Sequence, residues 1–287
     1  MSGYIEKVLG VLLEDEVALD IYLAVALTGL FLVGAVACFY AGLDQKTQVK
    51  KRAWVITTVS AGLCTLASLY TCSQAPVSWD FRVRPALMGE TNLSRFIVHY
   101  FRAQAVLDLA LGVIFYRSQL HPLTSWLHHI AYLLLCNWML DTHSCLVFTI
   151  CCLEELPTFL LGVGTLNKDW RMDMPFGISY GILRVTLHTF LFYYVMTYTG
   201  PGVRGEVPDE RIYTMRFNFV LTWCLHTHWF YGWVQQQRRL SRQRQKDAQD
   251  EKQAATDKAS GGGGSSTSSK SSSSSKVRLV NGERAQN

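Results

Sequence analysis

Ionisable side chains stand inside otherwise apolar stretches of this chain at Asp108, His128, His129, Glu154, Glu155, Arg184, His188 and His226. Such groups are expensive within a bilayer, usually face the bundle interior and are functional candidates by default. Histidine can serve there as a general base or a transient acyl carrier. His128 and His129 are adjacent, about 100° apart on a helix, so both can border one cavity. Arg184 and His188 are four apart and share a face, whereas His226 and His228 do not. Glu154-Glu155-Leu156-Pro157 puts a proline in mid-helix, where it removes a backbone bond and predicts a kink. The bland alternative is that each polar group is interhelical glue, worth about 1 kcal/mol. Arg102 fits that role, and His99, His121 and His143 stand near span ends.

A metal or other cofactor is not expected. The chain has 8 His but no HxxxH, HxxHH or HExxH box, and His226-Thr227-His228 with His128-His129 makes at most one improvised site. The 8 Cys lie in or beside apolar segments without CxxC pairs, and read as small buried hydrophobes rather than a disulfide framework or zinc module.

Helices that could hold these groups follow from apolar runs of about 20 residues. They are Leu19–Ala41, Trp54–Cys72, Phe96–Tyr116, Leu123–Leu140, Cys145–Leu166, Phe176–Tyr198 and Ile212–Val234. The fold class is therefore an all-α membrane protein, a polytopic bundle of about seven transmembrane helices. The acidic first 18 residues do not read as a cleavable signal, so the first run reads as a retained span.

Connections Leu43–Ala53, Arg117–Pro122, Asn167–Pro175 and the tail to Lys246 hold 12 Lys/Arg, against six in the opposite set. The positive-inside rule then puts the N-terminus outside or lumenal and the C-terminus in the cytosol. Measured from the cytosolic face, Asp108, Arg184 and His226 lie about 12 Å deep, His129 about 9 Å and Glu155 about 15 Å. Five helices thus contribute polar groups to one layer, which predicts a polar chamber facing the cytosol. Asn92-Leu93-Ser94 is a candidate glycosylation sequon on the lumenal side. From Gln235 onward there are 11 Lys/Arg against 5 Asp/Glu, followed by Gly and Ser runs. That composition predicts a disordered basic tail, whose partner beside a membrane is anionic lipid headgroups rather than nucleic acid.

His128-His129, followed 25 residues later by Glu154-Glu155-Leu156-Pro157-Thr158-Phe159, resembles the TLC domain family (TRAM, Lag1 and CLN8 proteins). Asp108 is similar to an acidic residue of the preceding helix in that family. Lys50-Lys51-Arg52-Ala53-Trp54 looks like the start of the domain, and Arg184-Val185-Thr186-Leu187-His188 resembles its Arg-bearing helix. The resemblance implies residues 1–49 as a lumenal N-terminus with an extra helix, 50–234 as a six-helix TLC-like domain, and 235–287 as the tail.

It also implies a multi-pass protein of the endoplasmic reticulum acting in membrane lipid homeostasis by binding or handling acyl lipids. Asp108, Glu154, Glu155, Arg184, His188 and His226 would line the lipid chamber. Ceramide synthases of the family join acyl-CoA to a sphingoid base, and their paired histidines imply His128 and His129 as catalytic residues, with acyl-CoA as co-substrate. This chain departs from that pattern. It lacks the H-D-x-x-D-like element, and its Glu-Leu-Pro-Thr-Phe run is more like the branch without established synthase activity. Lipid handling is thus the expectation and N-acyl transfer the alternative. A seven-helix transporter or receptor is a further alternative, although no D-R-Y-like or N-P-x-x-Y motif is present.

Overall fold

The computed structural model describes residues 16–74, 90–197 and 209–260, which are helical with short connections and contain no strand among them. Seven helices are labelled in chain order among the described residues. They are α1 (Glu16–Phe39), α2 (Gln45–Gln74), α3 (Asn92–Phe115), α4 (residues 122–141), α5 (Cys145–Leu166), α6 (residues 173–197) and α7 (Asp209–Ser260). Four helices are long and apolar enough to cross a membrane: Ala18–Phe39 within α1, then α2, α3 and α5. Phe31, Phe39, Ile114 and Phe217 point outward at 66–82% exposure, a surface that suits hydrocarbon better than water.

The expected spans on α4, α6 and α7 are helical, each with an irregularity or polar content of its own. α4 opens as a π-helix at Pro122–Leu127 before its 14-residue α-helix. The middle of α6, Tyr180–Leu187, is π-helical. π segments inside helices frequently mark functional sites. α7 is continuous, but Arg216, Asn218, His226 and His228 interrupt its apolar half. In α5 a 3-10 turn at Cys152–Glu155 comes directly before Pro157, which sits in the first turn of the helical segment that follows. The proline lacks an N–H to continue the preceding ladder, so the departure expected at this sequence is realised as a change of helix type.

Packing is centred on α2, which lies against α1, α3 and α5, while α3 also packs on α1, α4 and α5. One apolar cluster joins Cys64, Val98, Cys136, Phe148, Cys152 and Phe219. All eight cysteines are free, and Cys64, Cys136, Cys145 and Cys152 are buried. Arg102, 1% exposed, donates to Asn137 Oδ1 at 3.0 Å and lies 5.6 Å from the Tyr22 ring, tying α3 to α4 and α1. At the C-terminus of α5, Lys51 Nζ donates to the Leu166 carbonyl and stands over the Tyr40 ring, whose hydroxyl donates to the same carbonyl at 2.8 Å. Cations favour this end of a helix because its last carbonyls have no intrahelical partner.

α2 and α5 approach closely because Gly162 has no side chain. A Cβ there would lie 2.1 Å from Thr58 Oγ1 and 2.9 Å from Thr58 Cβ. Small residues allow such contacts between membrane helices. Gly162→Val is expected to destabilise the protein by about 1–3 kcal/mol through overpacking. Chemical unfolding in detergent micelles checks this, with Gly34→Val, whose site meets nothing within 4 Å, as the tolerated comparison.

The turn from α4 to α5 is made by His143 at φ 53°, a left-handed conformation that His adopts more readily than bulkier residues. Its Nδ1 lies 2.9 Å from Glu90 Oε1, and Arg95 Nη1 lies 3.6 Å from the same oxygen. Burial pushes the Glu90 carboxyl up, but the His143 hydrogen bond and the His143 and Arg95 charges outweigh it and hold the group below its ordinary value. A depressed carboxyl pKa contributes stability above the ordinary pKa and loses it as pH falls through the folded value. His143 and Arg95 are well exposed, at 67% and 46%, so solvent screening limits the effect to about 0.2–1 kcal/mol. Glu90→Gln should therefore lower stability at neutral pH, and the difference should shrink as pH falls through the folded value. An equal loss across that range would show that the cluster is not electrostatic.

The chain divides into two compact units, Met1–Val234 and Gln235–Asn287. The second was expected to be disordered throughout, yet α7 continues as helix to Ser260. The reason is compositional. Gln, Arg, Lys and Ala make up 18 of the 25 residues from Gln235 to Ala259, and all favour helix. Gln243 also donates to Asp247 four residues on, at 2.8 Å. The Gly and Ser runs after Ser260 lie outside the described residues.

Candidate functional site

The expected polar layer resolves into two buried clusters. The first joins α3 to α4. Asp108, 7% exposed, receives the Tyr116 hydroxyl on Oδ1 at 2.5 Å and faces His129 Nε2 with Oδ2 at 2.9 Å. His129 Nδ1 lies 2.6 Å from the Ser125 carbonyl oxygen. A carbonyl only accepts, so Nδ1 carries a proton. The Nε2–Oδ2 contact then requires a second proton, either on the imidazole or on the carboxyl. Either way Asp108 and His129 together are neutral, which suits a buried pair, and both nitrogens of His129 are engaged.

His128 differs. Its ring packs on Tyr132 with centroids 4.7 Å apart and edge-on to His129 at 5.6 Å. It is half-buried, and no hydrogen bond joins it to another of the described residues. Of the histidine pair, His129 is therefore held by two polar contacts, while His128 packs by its ring. The π-helical turn Pro122–Leu127 leads directly into both.

The second cluster joins α5, α6 and α7. Arg184 donates from Nε to the Glu154 carbonyl at 2.7 Å, and from Nη2 to Glu155 Oε1 at 3.1 Å and Thr158 Oγ1 at 2.7 Å. The guanidinium also stands 5.4 Å from the Tyr180 ring centroid. Glu154, at the 3-10 turn, is 5% exposed, His188 3% and His226 5%. His188 Nδ1 lies 2.8 Å from Glu154 Oε1, and His226 Nδ1 3.4 Å from Glu154 Oε2. The imidazoles of His188 and His226 meet at 5.0 Å, edge to face. Arg184 and His188 do share a face, as their spacing predicts, and both reach Glu154.

Asp108 and His129 stand in the first cluster with His128 beside them, and Glu154, Glu155, Arg184, His188 and His226 form the second. Glu155 pairs with Arg184, whereas Glu154 faces the two histidines. Tyr116 was missed, because a lone hydroxyl beside an apolar run carries no signal of its partner, and Thr158 was read only as part of the Glu154–Phe159 run, without its contact to Arg184. Asn92 is exposed at the first turn of α3, and Ser94 of its sequon is buried in a capping box with Thr91. No family model, curated protein or solved structure matches the chain.

Proposed function

We propose that the chain is a multi-pass protein of the endoplasmic reticulum membrane that binds or handles acyl lipids in membrane lipid homeostasis, in the manner of TLC-domain proteins. In this reading all seven helices, α1 to α7, span, with the N-terminus lumenal and the C-terminus cytosolic. The observation that supports it best is His128. Its imidazole has no hydrogen-bond partner among the described residues while the charged groups around it are paired, so a lipid headgroup can complete its hydrogen bonding. The outward apolar faces of the helices suit acyl chains.

The test is photocrosslinking of purified protein in nanodiscs with a diazirine-bearing sphingoid or fatty acyl probe. Adducts on the α4 peptide containing His128, displaced by unlabelled lipid, are expected. Labelling spread evenly over the outer surface and not displaced would overturn the reading. For topology, an endoglycosidase-sensitive mobility shift at Asn92 places the α2–α3 connection in the lumen.

A second reading, N-acyl transfer from acyl-CoA to a sphingoid base, is favoured by the same imidazole. His128 could take the amine proton as a general base, while His129 is committed to Asp108 and Ser125. CoA release by wild-type protein, abolished in His128→Ala, supports transfer. Release that persists in that variant removes His128 from the chemistry.

A further inference from the structure

We propose that Glu154, His188 and His226 form a binding site for a divalent transition-metal ion of the zinc type. The three come from separate helices, α5, α6 and α7, and their ligand atoms all lie within 4.8 Å of one another. Two donors each about 2.0–2.1 Å from zinc at a tetrahedral angle are about 3.3 Å apart. The observed separations from the Glu154 oxygens, 2.8 Å to His188 Nδ1 and 3.4 Å to His226 Nδ1, bracket that value.

The tautomers point the same way. His188 Nε2 lies 3.3 Å from the Phe219 carbonyl oxygen, so Nε2 carries the proton and Nδ1 presents a lone pair. That lone pair faces a carboxylate oxygen, another acceptor, and the contact needs a positive centre between them. A proton there would satisfy His188 and Glu154 alone. It would leave the buried His226 Nδ1 held only by a 3.4 Å approach to Glu154 Oε2 that makes no hydrogen bond. One metal ion satisfies all three at once.

Supporting contacts have the form expected around a ligated metal. A ligating histidine usually donates its other ring N–H to a backbone carbonyl, as His188 does to Phe219. Arg184 donates to the Glu154 carbonyl and fixes the backbone that carries the carboxylate. Two imidazoles and one carboxylate suit zinc, and three protein ligands leave a fourth position open. Glu155 neutralises Arg184, so the ion and Glu154 retain one net positive charge. The open position therefore favours hydroxide or a carboxylate. This site goes beyond the lipid-handling reading and stands independently of it.

The full chain, purified in nanodiscs, loaded with zinc and washed with a weak chelator, is assayed by elemental mass spectrometry. One zinc per chain is expected. His226→Ala should weaken binding by at least about 100-fold, more than loss of a supporting contact costs. His226→Phe, which keeps the ring volume, should do the same and covers the case in which the alanine variant does not fold. His228→Ala, exposed on the same helix, should keep the ion. Cobalt loading should give an intense visible band in wild type that both His226 variants lack. Wild-type protein without stoichiometric zinc, or a folded His226 variant binding as wild type does, would overturn the proposal.

Discussion

Arg184→Met is expected to cost about 3–5 kcal/mol, because it leaves the Glu155 carboxylate with no cation in a site where the arginine is 11% exposed and Glu155 23%. Three acceptors lose their donor together: the Glu154 carbonyl, Glu155 Oε1 and Thr158 Oγ1. Each buried polar atom left unpaired adds its desolvation cost. Arg184→Lys should recover only part of the loss, since an ammonium is a point donor and cannot reach all three from one position. Replacing Glu155 by Gln in the Arg184→Met background removes the orphaned charge and should return about half of the lost stability. Equilibrium unfolding in mixed micelles reads all four proteins. If Arg184→Met is as stable as wild type, the cluster is solvated rather than buried, and its part in joining α5 to α6 falls away.

The Asp108–His129 pair gives the second large effect. His129→Leu strands a carboxylate that only Tyr116 then contacts and should cost about 3–5 kcal/mol. Asp108→Asn should cost less than about 1 kcal/mol. The amide oxygen can still accept from the Tyr116 hydroxyl, and the amide N–H can donate to His129 Nε2, which then needs no second proton. The double variant Asp108→Leu/His129→Leu should regain most of the stability lost by His129→Leu alone, since apolar replacement of a whole buried pair is often neutral. This cycle separates a charge-neutral structural pair from a proton relay. If Asp108→Asn destabilises as much as His129→Leu, the carboxylate charge itself is indispensable, and His129 stands in the imidazolium form.

Local order along the chain was readable because it depends on near neighbours. Apolar runs of about 20 residues mark α1, α2, α3 and α5, since a helix that must satisfy its own backbone in hydrocarbon needs that length. The Cys152–Glu155 turn was foreshadowed by Pro157, and the shared face of Arg184 and His188 by their spacing of four. The Gln235–Ser260 helix was misread for a local reason too. Charge and low hydrophobicity suggested disorder, while the individual residues are strong helix formers.

By itself, the sequence determined that the chain is helical, that several helices can cross a membrane, and which ionisable residues are embedded in them. Partnership was decided only by tertiary structure. His128 and His129 are equivalent in one dimension, yet one is held between Ser125 and Asp108 and the other packs by its ring on Tyr132. Glu154 and Glu155 are likewise adjacent, yet one faces two histidines and the other an arginine. Helical period places a residue on a face. Which partner that face meets depends on how each helix is rotated and shifted against the next, and small contacts such as Gly162 on Thr58 set those positions. Glu154, His188 and His226 lie 34 and 38 positions apart in sequence, and only the packing of α5, α6 and α7 brings them together.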